Sequence, residues 1–319
     1  MGRTVEAQPA PSGSDRLAHR PTAVARNVAA VVEATLRARG PFSLRDSAVW
    51  ASDATRRFDG RILVGLFSVE DGLARACAWQ ASDGRIELRS HSEDALEQLR
   101  ATLPLEADHS EFLRRYEDDP LLGRTIRALP GKRPMRVGTV TQALIRAVCG
   151  QLIASSVARR IERALIRATC ESDGVFCVPP TPDCFADRAP ADLQRYELTA
   201  RKASTIVRLC RTLDLERLRG LPPVKVAERL ERERGLGPWS AGVIGLEGLG
   251  CHELGLVGDL GLIKLCTALL GRPAEPSDTA ELLDRYGEWQ GLASKYLLAG
   301  SARGLLPVRT EREKLADAA

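Results

Sequence analysis

Two stretches carry residues able to do chemistry: GLGPWSAG, residues 235 to 242, and GLVGDLGLIK, residues 255 to 264. In the first, Gly235 and Gly237 bracket one leucine, and Pro238 and Trp239 follow at once. Glycines have no side chain to bar a ligand, and the amides of a helix start point outward unpartnered, so such a turn can hold a phosphate. The same residues also make a plain tight link between helices, because glycine closes one helix and proline opens the next. In the second stretch, Asp259 follows Gly258 and precedes LGLIKLCTALL, an apolar helical run. A carboxylate at a helix start accepts amide hydrogen bonds and faces the positive end of the dipole, which suits either an ordinary N-cap or a fixed catalytic anion. Held in place, such an anion can stabilise positive charge developing in a transition state or orient an attacking water.

Helices must position both stretches. In TVTQALIRAVCGQLIASSVARRIERALIRATC, apolar residues recur at Val140, Leu144, Ala147 and Val148, then at Val157, Ile161, Leu165 and Ala168. That spacing predicts two amphipathic helices broken near Gly150. Pro179, Pro180 and Pro182 end the pair, and further helical runs with short Gly/Pro links follow, so residues 119–308 read as an all-α domain. Residues 41–118 have another texture: RILVGLFSV, ARACAWQAS and RIELRSH are short β-type runs with VEDG and SDG turns between them, and SEDALEQLRATL is a covering helix. Residues 1–40 start Pro/Ser/Gly-rich and continue as a weakly helical run, a flexible tail, and 309–319 form a C-terminal tail. The fold class expected is α+β, a small antiparallel N-terminal domain followed by an all-α domain.

Composition narrows the function classes. The chain has 319 residues, 44% of them hydrophobic, enough for about two cored domains. It has no run of about eighteen apolar residues, and its start MGRTVEAQPAPSGSD lacks an apolar signal core, so a cytoplasmic protein with no membrane partner is expected. Eight cysteines lie scattered without CxxC pairs and read as reduced core residues, while four histidines form no HExxH spacing, so a metal enzyme is not indicated. Net charge is only +4, but from Gly131 to Cys170 eight basic side chains face one acid, Glu162. Such a surplus suits a polyanion, although a solvated helix face is its commoner cause. Ser240 lies in no G-x-S-x-G elbow, and neither it nor His252 is assigned a role.

In their order and spacing, RAVCGQLIASSVARR (146 to 160), LTARKASTIVRLCRTL (198 to 213), and GLGPWSAG with the downstream VGDLGLIK together resemble the helix-hairpin-helix DNA glycosylase superfamily. Within it, they resemble the 3-methyladenine DNA glycosylase II family, over about residues 120 to 305. That family carries a TATA-binding-protein-like β-α-β domain where residues 41–118 stand. Two departures bear on hairpin stiffness: Glu233 and Arg234 replace an apolar residue and a proline, and Glu197 replaces a glycine.

The resemblance implies a monofunctional glycosylase of base excision repair. It would hydrolyse the N-glycosidic bond of alkylated purines in double-stranded DNA by base flipping, act as a monomer and leave an abasic site. It makes Asp259 the catalytic residue, Gly235 and Gly237 the DNA grip, and Arg234 a phosphate contact. It lines the pocket with Trp239 and Trp289, and makes Leu152 the apolar wedge, with Gln151 before it at the turn. Tyr286 and Tyr296 read as core packing. No cofactor is expected beyond a Na+ or K+ held by hairpin carbonyls, and no side chain is expected to bind metal. Bifunctional members resemble G-x-G-x-K at the hairpin, where this chain has Trp239, and no cysteine follows Cys266 to build an iron-sulfur cluster. Two rivals remain: a non-catalytic module binding damaged DNA, and a glycosylase for a neutral deaminated base, which would want more hydrogen-bonding side chains near these motifs.

Overall fold

A computed structural model of the chain describes Gly2 and residues 30–307. The remainder of the two expected tails lies outside the described residues. Five strands, β1 (Val32–Leu36), β2 (Arg56–Phe58), β3 (Ile62–Val69), β4 (Gly72–Gln80) and β5 (Ile86–Ser90), form one antiparallel sheet in the order β1-β5-β4-β3-β2. Leu63, Ile86 and Leu88 point to one face, where α2 (Glu93–Thr102) lays Ala95, Leu96 and Leu99 on them. Ser92 caps that helix by accepting from the Ala95 amide. β3, β4, β5 and α2 fall on the stretches read as strands and covering helix.

β1 corrects the reading of residues 1–40 as a weakly helical tail, for the part that is described. Val32, Ala34 and Leu36 alternate with Glu33 and Thr35, a period of two that fits a half-buried edge strand. Cross-strand pairs complete it: Arg89 bridges Glu33 at 2.6 Å, and the Thr35 hydroxyl donates to Glu87 at 2.6 Å.

The helices are α1 (Leu44–Ala48), which precedes β2, and after α2 come α3 (Ser110–Tyr116), α4 (Gly123–Ala128), α5 (Val140–Gly150) and α6 (Ser155–Thr169). Then follow α7 (Asp183–Ala186), α8 (Pro190–Gln194), α9 (Ala200–Thr212) and α10 (Pro223–Glu231). The last are α11 (Pro238–Val243), α12 (Leu260–Leu270), α13 (Pro276–Asp284) and α14 (Gln290–Ala302). The α11 helix runs on through a π-helical turn, Ile244–Leu249. One large core joins these helices, with Leu144, Val148, Leu165, Ile206, Leu230, Ile244, Leu262 and Leu297 all buried. Gln142 in α5 faces Asp53 and Thr55 of the sheet region, so the two layers meet in a polar seam. Among the described residues no helix is long and apolar enough to cross a membrane.

The basic run from Gly131 to Cys170 divides. Arg133 is only 1% exposed and donates to the carbonyls of Arg39, Pro41 and Pro104. Arg146 is buried too, at the centre of an ion network: its guanidinium reaches Asp53 at 2.8 Å, Glu162 at 2.9 Å and Glu247 at 2.9 Å. Burial pushes the Glu247 carboxyl up, but Lys295 and Arg146 outweigh it and hold it well below the usual carboxylate range. Arg133 therefore ties loops together and Arg146 ties helices, while Arg160, Arg163 and Arg167 on α6 are exposed.

Candidate active site

The hairpin between α10 and α11 uses its two glycines differently. Gly235 has φ +96°, a left-handed conformation, and a Cβ there would run into the Thr205 side chain. Gly237 is extended, with φ −142°, and a Cβ there would meet nothing within 4 Å. Neither backbone conformation nor packing explains the second glycine; open approach to the turn is what its bare Cα provides. Glu233, where a stiff apolar-proline pair was expected, is instead tied by ion pairs to Arg208 at 2.7 Å and to Arg229. Arg208 also donates to the Arg234 carbonyl at 2.7 Å. Side-chain links to α9 thus hold the hairpin, and the Arg234 side chain is exposed beside it.

Glu197, the other departure, sits at φ +64°, where a glycine would rest without strain. Its carboxylate forms an ion pair with Arg160 on α6.

The end of α5 is brought against this hairpin. Gln151 donates through Nε2 to the Gly235 carbonyl at 2.8 Å and to Ser240 Oγ at 3.0 Å. Lys202 Nζ, from α9, donates to the carbonyls of Cys149 at 3.1 Å and Gln151 at 2.8 Å, satisfying the end of α5. On the turn so pinned, Leu152 has φ +57° and is 89% exposed. A leucine that is both left-handed and bare to solvent serves no packing purpose in this fold.

Asp259 caps α12. Its Oδ1 accepts from the Gly261 amide at 2.8 Å, and its Oδ2 accepts from Trp239 Nε1 at 3.0 Å. Gly258 before it, at φ +81°, donates its amide to Thr279 Oγ1 at 2.7 Å. The Trp239 ring lies against Gly150, where an added Cβ would come within 2.7 Å of it. Gly150, Gln151, Gly235, Trp239 and Asp259 therefore form one cluster, assembled from α5, the hairpin and the start of α12.

Trp289 is placed elsewhere. Its ring packs at 5.8 Å from Phe112 and 6.2 Å from His109, and its buried Nε1 finds no partner among the described residues. Tyr286 and Tyr296 are each 1% exposed, as core packing requires. At the hairpin, where a Na+ or K+ was expected, the carbonyls of Glu233, Arg234, Gly235 and Gly237 each accept one hydrogen bond, from Leu236, Arg208, Gln151 and Ala241, which leaves each oxygen a second lone pair.

One pair escaped the sequence altogether. His109 and His252, 143 residues apart, meet Nε2 to Nε2 at 3.0 Å. Burial, with His252 and Arg133 nearby, pushes His109 down to about 3. Burial, with Arg133 and Arg136 nearby, pushes His252 down to about 4. Motif spacing could not reveal a contact of such separation.

No protein-family model matches the chain. It is 26% identical over 216 residues to a DNA-3-methyladenine glycosylase of Bacillus subtilis, covering 64% of this chain and 71% of that one. It is 27% identical over 208 residues to a probable bifunctional transcriptional activator/DNA repair enzyme AlkA of Mycobacterium tuberculosis. That match covers 64% of this chain but only 42% of the relative. Among solved structures, a 3-methyladenine DNA glycosylase from Archaeoglobus fulgidus superposes with a TM-score of 0.71 at 18% identity, covering 84% of this chain and 98% of the other.

Proposed function

We propose that this chain, which is similar in sequence to a DNA-3-methyladenine glycosylase and shares the fold of another, is a helix-hairpin-helix glycosylase of the 3-methyladenine DNA glycosylase II type that hydrolyses the N-glycosidic bond of alkylated purines in duplex DNA. One observation carries this reading: the Asp259 carboxylate is aimed by Trp239 and by the α12 amides, next to a hairpin glycine with no structural reason to be glycine. An alkylated purine carries its own positive charge. When its bond to C1′ breaks, the electron pair moves onto the base, which leaves neutral without a protein acid. The charge left on the sugar is stabilised by Asp259, and water adds its oxygen to C1′ and gives up a proton. In this reading the open side of Gly237 and the Arg234 side chain meet the phosphates.

A base must leave the stack first, at a cost of about a few kcal/mol. The bare side chain of Leu152 supplies an apolar plug for the gap. The Trp239 face, exposed to the same cluster, attracts a cationic base by roughly 0.5 to 2 kcal/mol. Trp239 stands where bifunctional members have their lysine, and no lysine lies between Lys225 and Lys264, so no Schiff base forms and an abasic site remains.

The test is release of free 3-methyladenine and 7-methylguanine from a methylated duplex by the wild type and by Asp259→Asn. Asparagine keeps the cap oxygen, so the variant folds and binds. Release by the wild type alone is expected. If both bind the duplex and neither releases base, the alkylated-purine assignment fails, and a damage-binding module or a glycosylase for a neutral deaminated base stands in its place.

A further inference from the structure

Away from the cluster at Asp259, two sulfurs face each other. Cys170, which follows α6, and Cys184, in α7, stand with Sγ atoms 3.8 Å apart, both partly accessible. Their surroundings differ in hydrogen-bond capacity. Thr169 donates its hydroxyl hydrogen to the Leu165 carbonyl at 2.9 Å, so although it lies 3.6 Å from Cys170 Sγ it has nothing left to give that sulfur. Cys184 Sγ receives the Cys170 S–H and lies 3.7 Å from the Thr181 hydroxyl. Cys184 thus has two neighbours able to donate to its sulfur, the Cys170 S–H and the Thr181 hydroxyl, which favours it as the thiolate of the pair. The Cys170 S–H, against burial and Asp183, pushes the Cys184 thiol down to about 6.

We propose that Cys170 and Cys184 form a redox-active dithiol, a modification site at which a hydroperoxide oxidises Cys184 and Cys170 closes a disulfide. The Cys184 thiolate attacks one peroxide oxygen, the O–O bond breaks, and hydroxide leaves, giving a sulfenic acid. The Cys170 sulfur then attacks Cys184 Sγ, and its proton departs with the displaced hydroxyl as water. Two thiols lose two electrons, and one hydroperoxide is reduced. For the bond to form, the sulfurs must close from 3.8 Å to about 2.05 Å. Of the other thiols, Cys177 and Cys210 are 2% and 6% exposed, and although Cys77 and Cys251 are partly accessible, burial pushes both of their thiols up.

This site does not depend on the glycosylase reading. The full chain is treated with one equivalent of hydrogen peroxide, free thiols are capped with N-ethylmaleimide, and the cysteines are mapped by mass spectrometry. Two of the eight thiols should escape capping, joined in one Cys170–Cys184 peptide that dithiothreitol separates. In Cys170→Ala, dimedone should capture a sulfenic acid at Cys184, and Cys184→Ala should keep all remaining thiols. Circular dichroism checks that both variants fold. Eight capped thiols after peroxide, or a disulfide through Cys177 or Cys210, overturns the proposal.

Discussion

The buried histidine pair makes stability depend on pH in a way that can be calculated. Unfolded, each imidazole titrates at its ordinary 6.5; folded, His109 sits near 3 and His252 near 4. Below pH 6.5 the unfolded chain therefore binds protons that the folded chain refuses. Stability is fully present above pH 6.5 and falls as the pH drops toward the folded values, by up to about 1.4 kcal/mol per pH unit for each residue. At pH 5 each histidine has cost about 2 kcal/mol, so the pair together costs about 4 kcal/mol. The paired carboxylates Asp53 and Glu247, held below their ordinary range against burial, contribute mainly at lower pH. The perturbation is His109→Phe, which keeps an aromatic ring against His252 and Trp289 and removes one titrating group. Urea unfolding at pH 7.5, 6 and 5 measures the difference. The wild type should lose about 2 kcal/mol more than the variant between pH 7.5 and 5. Equal losses would show that these rings are solvated in the folded protein and would refute the burial argument.

Gly235→Ala should cost about 1 to 3 kcal/mol of stability through its left-handed backbone and the Thr205 clash. Gly237→Ala should leave stability within about 0.5 kcal/mol yet weaken duplex binding about tenfold, as denaturation and fluorescence titration would show. Trp239→Phe keeps the ring on Gly150 but deletes the bond to Asp259, worth about 1.5 to 3 kcal/mol for a charged acceptor. Single-turnover base release should slow about 10- to 100-fold at unchanged duplex affinity. Leu152→Ala removes a side chain that is 89% exposed, so melting should hold within about 0.5 kcal/mol while base release slows; equal rates would exclude a wedge.

Much of the fold is written locally. The three-and-four spacing through Val140 and Leu165 specifies α5 and α6, and Gly-x-Gly-Pro specifies a helix turn, because period and capping depend on near neighbours alone. Asp259 was legible as a helix cap for the same reason. β1 was not, because an edge strand is weakly marked until its partner β5 supplies Arg89 and Glu87 across from Glu33 and Thr35. The buried roles of Arg133 and Arg146 were equally hidden, since a charge looks solvated until the carbonyls and carboxylates around it are known.

What the sequence by itself determined is the order of the helices, the hairpin and a carboxylate at the start of α12. Tertiary structure decided the rest: that Trp239 grips Asp259, that Gln151 and Lys202 pin the turn carrying Leu152, and that Trp289 packs on Phe112 and His109. It also decided that His109 meets His252 and that Cys170 faces Cys184. These are contacts between elements far apart in the chain, and no local periodicity encodes which faces of two helices come together.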